Sequence, residues 1–146
     1  MKKLVLVLAA GAVCALSLAT FSLAATKTTT WTAALTPAQE VPKQAVKVTA
    51  AHGQFKGTLS GSKLMWTLTF AKLSGPATAA HIHMAGMGKA GNVVVVLCAS
   101  TCKSGVSGTA TISAALQTAF KKHLLYVNVH TAKNPAGEIR GQLAAG

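Results

Sequence analysis

The sequence predicts an all-β protein, an antiparallel sandwich or barrel of seven to eight strands with at most one short helix. Three observations carry this. Residues 63–70, KLMWTLTF, alternate strictly, with Leu64, Trp66, Leu68 and Phe70 on one face and Met65, Thr67 and Thr69 on the other, the period of a half-buried strand. Several other short runs rich in β-branched and aromatic residues lie along the chain. Turn-forming clusters separate them at regular intervals: Ser60-Gly61-Ser62, Ser74-Gly75-Pro76 and Asn134-Pro135-Ala136-Gly137.

Met1-Lys2-Lys3, the apolar run from Leu4 to Phe21 and the small residues Ser22-Leu23-Ala24-Ala25 have the order of a secretory signal peptide. The alternative, a membrane anchor, is weakened by Gly11, Ser17 and Thr20 within the run, and a lipoprotein would need a small residue where Val13 precedes Cys14. Removal of residues 1–24 leaves 122 residues, 25–146, enough for one domain with its own core. No later run is long enough to span a bilayer, and the expected localisation is extracytoplasmic, periplasmic or secreted.

Cleavage also removes Cys14 and leaves Cys98 and Cys102, which in an oxidising compartment are read as a disulfide closing a tight loop. The competing reading, a C-x3-C metal or redox site, lacks a second cysteine pair. The formal charge of +12 falls to +10 without Lys2 and Lys3, which suggests weak binding to anionic surfaces such as an acidic envelope polymer. The cations are nearly all lysines spread singly, not arginines interleaved with aromatics, so no specific nucleic-acid site is expected.

Along the mature chain, residues 28–35 around Trp31 read as the first strand, and Pro37 to Pro42 as a loop. Residues 43–51 fit no element clearly. Residues 53–59 alternate as a strand leading to the Ser60 turn. Ala79 to Met84 is a strand, Ala85 to Asn92 a glycine-rich loop, and Val93 to Cys98 an apolar run predicted to be a strand buried on both faces. Val106 to Ile112 is a weaker strand. Leu116 and Phe120, one turn apart behind Ser113 as N-cap, suggest a short helix. Leu124 to His130 places Tyr126, Asn128 and His130 on one face. Asn134 to Gly137 suits a type I turn, and Glu138 to Leu143 is the closing strand.

Four patterns in this order, AALTPAQEVP, TAAHIHMAG, LLYVNVHT and NPAGEIRGQL, span residues 33–143, and their combination resembles the CHRD (chordin-type) domain, in the manner of an exported single-domain bacterial member. The resemblance implies an immunoglobulin-like β architecture and an extracytoplasmic setting. It implies no activity.

The candidate chemistry sits on histidines. His81 and His83 at i and i+2 on a strand leave the same face, and His130, at the end of another strand, can supply a third nitrogen. Met84 and Met87 nearby would add soft thioethers that favour copper. The His-x-His strand is similar to the copper-binding strand of copper/zinc superoxide dismutase, but no bridging histidine, zinc-site aspartate or spare arginine accompanies it. The alternative is that the histidines only hydrogen-bond strand ends and loops. His52 and His123 are read as surface residues. Glu40 and Glu138 are the only acidic residues, and a structural ion pair with Arg140 is expected. No triad or phosphate-loop pattern is present, and no catalytic residue is assigned.

The leading expectation is therefore an exported, non-enzymatic binding or interaction module whose partner is an unidentified protein or envelope component. A copper-binding protein using His81, His83 and His130, with Met84 or Met87 assisting, is the alternative, and a dismutase-like redox enzyme a third.

Overall fold

The computed structural model describes residues 26–146; the expected signal peptide and Cys14 lie outside the described residues. Among the described residues nine strands form: β1 (Thr28–Leu35), β2 (His52–Ser60), β3 (Lys63–Ala71), β4 (Ala77–Met84), β5 (Asn92–Cys98), β6 (Val106–Thr111), β7 (Leu125–Thr131), β8 (Ile139–Gln142) and β9 (Ala144–Ala145). One helix, α1 (Ala114–Lys121), precedes β7. The strands make two antiparallel sheets, β6-β3-β2-β1-β9 and β5-β4-β7-β8, stacked as a sandwich that does not close into a barrel.

The ninth strand arises where a single closing strand was expected. β8 pairs with β7, then Leu143, 1% exposed, turns inward, and β9 pairs with β1 in the other sheet. One short segment thus stitches both sheets together.

The core lies between the sheets. Leu64, Trp66 and Leu68 of β3 face it as their period of two requires, with Met65 on the opposite, exposed side. Phe55 of β2 stacks on Trp66 with centroids 6.5 Å apart, and Trp31 of β1 meets Phe120 of α1 at 5.0 Å. Burial of each such large side chain contributes about 1.5–3 kcal/mol. The helix begins where expected: the Ser113 hydroxyl accepts from the Leu116 amide, satisfying one of the donors a helix start leaves free.

The disulfide between Cys98 and Cys102 is formed, with Cα atoms 5.9 Å apart. It anchors its loop beside β4, where the Cys102 amide donates to the Ala77 carbonyl.

One strand differs from its sequence reading. Val93 to Cys98 is not buried on both faces: β5 is the edge of its sheet, and Val93 and Val96 are 46% and 57% exposed. A run of valines records apolarity and β-branching but not which neighbour lies beyond it, so an edge and a centre read alike.

Candidate metal centre

Alternation in β4 sends Ala80 and Ile82 into the core, both fully buried, and so turns His81 and His83 to the outer face of the four-stranded sheet. In β7 Val127 and Val129 point inward, leaving Tyr126, Asn128 and His130 on that same outer face. The register sets Ala79 opposite His130, His81 opposite Asn128 and His83 opposite Tyr126. His130 is therefore diagonal to His81, within reach of a long side chain. The pairing of β4 with β5 slips on both sides of His81 and Ile82, an irregularity of the kind that re-aims side chains.

The rings converge. His81 Nδ1 lies 3.1 Å from His130 Nε2, and one nitrogen from each of His81, His83 and His130 falls within 4.8 Å of the others.

Two of the three tautomers are fixed by backbone. His83 Nδ1 is 2.9 Å from the Gly91 carbonyl, and His130 Nδ1 is 3.0 Å from the Pro135 carbonyl. A carbonyl only accepts, so both Nδ1 atoms carry the proton and both Nε2 atoms present a lone pair. His83 Nε2 is buried with no partner. This is the arrangement that metal-ligating histidines adopt, with the distal nitrogen anchored to orient the proximal one.

Gly91 makes the anchor possible. A Cβ there would collide with the Met84 carbonyl, so only glycine lets the 85–91 loop approach β4 closely enough for its carbonyl to reach His83. Tyr126 completes the support: its ring stacks on His83 at 4.9 Å and 7° between planes, and its hydroxyl accepts from the Gly91 amide at 3.2 Å. The Arg140 guanidinium sits 3.5 Å from the Tyr126 ring centroid, a cation–π contact.

All three imidazoles are held neutral. Burial lowers His130 to about 4, against its bond to Pro135, with the neighbouring His81 and His83 lowering it further. Burial is also the main cause for His81, with His83 adding to it. For His83, burial outweighs the bond to Gly91, and Arg140 lowers it again. At neutral pH the cluster is thus a set of uncharged nitrogen donors.

The methionines do not follow the histidines. Met84 alternates to the side opposite His83 and is 43% exposed, and Met87 is 78% exposed in the loop, so the soft donors expected beside the imidazoles are turned to solvent. His52 and His123 are exposed, as read from the sequence.

The expected ion pair is a correction. Glu40, Glu138 and Arg140 are all buried, but each has other partners. Glu138 accepts from the Ser74 amide and hydroxyl, the Thr131 hydroxyl and Asn134 Nδ2. Burial pushes its carboxyl up, and these bonds outweigh burial and hold it below the ordinary value. Glu40 accepts from Asn128 Nδ2 through both oxygens, each at 2.9 Å. Arg140 donates to the Gly86 carbonyl at 3.3 Å, and its charge reaches Glu40 through space without a hydrogen bond. The reason is positional: Glu138 precedes β8 instead of sharing a strand face with Arg140.

Sequence reasoning missed Tyr126, Asn128, Ser74, Thr131 and Asn134 as partners. Tyr126 and Asn128 carried a signal, since they share the His130 face of β7; Ser74 and Asn134 come from turns that only the topology brings together.

No curated protein and no solved structure matches this chain. The model for the CHRD domain matches residues 31–143, almost all of the described chain, with its histidine cluster and both carboxylates inside the match, and the chain belongs to the CHRD domain family.

Proposed function

We propose that this is an exported CHRD-domain binding module that holds one copper ion through His81, His83 and His130. The observation that carries the reading is the convergence of three neutral imidazoles within 4.8 Å, two of them locked by backbone carbonyls into the tautomer that presents Nε2. Imidazole donors suit copper and zinc alike, and copper(II) binds most tightly among the divalent first-row ions at a given nitrogen site. Copper in such a site supplies positive charge and a one-electron couple. The chain's own contribution is to hold the donors deprotonated, to fix their aim through Gly91, Pro135 and Tyr126, and to keep them half-buried.

The surface charge belongs to the same reading. Glu40 and Glu138, the chain's only acidic side chains, are 0% exposed, so no side-chain carboxylate offsets the surface lysines. That favours weak retention by an acidic envelope polymer.

The test is a competition titration of the mature protein with copper in both oxidation states and with zinc, beside a variant with alanine at His81, His83 and His130. One equivalent taken up, copper ahead of zinc, and lost in a variant that keeps its β-sheet circular dichroism, is the expected result. No uptake by the unaltered protein would overturn the copper reading and leave a protein-interaction module with structural histidines.

Tyr126→Phe gives a finer check. It keeps the ring against His83 and Arg140 but deletes the oxygen that holds Gly91, so copper affinity should fall about tenfold, the scale of losing an outer-shell partner. An unchanged affinity would mean that the Gly91 carbonyl is positioned without Tyr126.

A further inference from the structure

The connection between β1 and β2, residues 36–51, contains only a three-residue 3-10 turn, Pro37–Gln39. Connections of that length without structure of their own are commonly binding loops. This one is tied down along its length. Glu40 docks on Asn128, Gln44 Nε2 donates to the Glu138 carbonyl, and Val46 exchanges both backbone bonds with the Asn134 side chain.

Between the two limbs of the connection lies a hollow of about 700 Å3, within the usual range for small-molecule sites. Pro37, Ala38, Val48 and Ala51 give it apolar walls, and Lys43 and Lys47 are the cations on its lining. Val48 packs against the main core, so the wall is backed by rigid structure. Lys43 is held in place by a 2.9 Å bond from its Nζ to the Ala38 carbonyl, leaving its other N–H groups free for an acceptor. Neither side-chain carboxylate can neutralise the two lysines, because both are 0% exposed and engaged elsewhere.

We infer that this hollow binds a free, single-chain amphipathic anion, with its alkyl chain against Pro37, Ala38, Val48 and Ala51 and its carboxylate or phosphate head on Lys43 and Lys47. Apolar walls alone would take any hydrocarbon; the two uncompensated ammonium groups select the sign of the head. The site is separate from the histidine cluster and does not rest on the copper reading.

Calorimetric titration of the full protein tests it, using dodecanoate and dodecyl phosphate below their micelle concentrations and dodecyltrimethylammonium as the cation with the same tail. One equivalent of either anion should bind, with the cation at least about tenfold weaker. Replacing both Lys43 and Lys47 by alanine should weaken the anions about tenfold, the scale of two exposed charge pairs, and leave the cation bound at least as tightly as before, since its like-charge repulsion is gone. Val48→Trp should fill the hollow and abolish binding of both anions. The triple histidine variant should bind the anions as the unaltered protein does.

Equal affinity for anion and cation, or undiminished anion binding without the lysines, would overturn the proposal. So would sedimentation with anionic vesicles in the absence of any monomer binding, which would make the lysines a membrane-facing patch instead. Melting temperatures of the lysine variants, unchanged for exposed side chains, guard against reading misfolding as lost binding.

Discussion

Replacing Glu138 by alanine should destabilise the fold by about 3–5 kcal/mol, because it strands several buried donors at once. Its carboxylate gathers the Ser74 amide and hydroxyl from the β3–β4 connection, the Thr131 hydroxyl from the end of β7, and Asn134 Nδ2 from the β7–β8 turn. Asn134 in turn holds Val46 of the long β1–β2 connection. Three separate loops are thus organised around one side chain that is 0% exposed. Glu138→Gln, which keeps the shape, should be nearly as damaging, since its amide nitrogen would face donors that need an acceptor.

Acid should act on the same hub. The folded value of Glu138 lies below its ordinary 4.5, so its contribution is present above the ordinary value and is lost as pH falls through the folded one. Chemical denaturation of the two variants at neutral pH measures the effect directly. A loss under about 1 kcal/mol in both would mean that solvent replaces the carboxylate and that the hub is not what orders these loops.

How far this was readable in advance depends on the range of the interaction. Local patterns carried through: the alternation of β3, the Ser113 cap, the His-x-His strand and the Asn134 turn, whose Gly137 amide donates to the Asn134 carbonyl, are each set by residues close in sequence. The convergence of His130 with His81 and His83 was expected from strand faces, and the register delivers it. What was not readable depends on which elements become neighbours. The exposure of Val93 and Val96 follows from β5 lying at a sheet edge. The carboxylates were assigned to Arg140 because opposite charges are the obvious partners, yet neutral amides and hydroxyls from β7 and from two connections satisfy them. Four such donors stabilise a buried carboxylate without a second desolvated charge.

Glu40 shows the opposite balance and yields the clearest pH prediction. Burial pushes its carboxyl up from 4.5 to about 7, against the bonds from Asn128 and the Val41 amide and the pull of the Arg140 charge, with Glu138 adding repulsion. The packing leaves no slack for another partner: a Cβ on Gly137, where φ is +140°, would meet Asn128 Nδ2 and come within 2.5 Å of Glu40 Oε2. Between the ordinary and the folded value the native state therefore keeps a proton that the unfolded chain has released. Stability from this group is intact below pH 4.5, declines as pH rises towards 7 and is flat beyond.

Glu40→Gln removes the titration while keeping an acceptor for Asn128. Relative to the unaltered protein, the variant should gain stability progressively from about pH 5 to 8, approaching about 3 kcal/mol, the free energy that corresponds to the shift. The histidines, whose lowered values make stability rise with pH over part of the same range, are common to both proteins and cancel in the difference. A difference that stays flat across that range would show that Glu40 ionises in the fold as it does in the open chain. If the slope appears, Glu40 changes charge near neutrality within the fold, and the buried Arg140 has its carboxylate counter-charge only above that range.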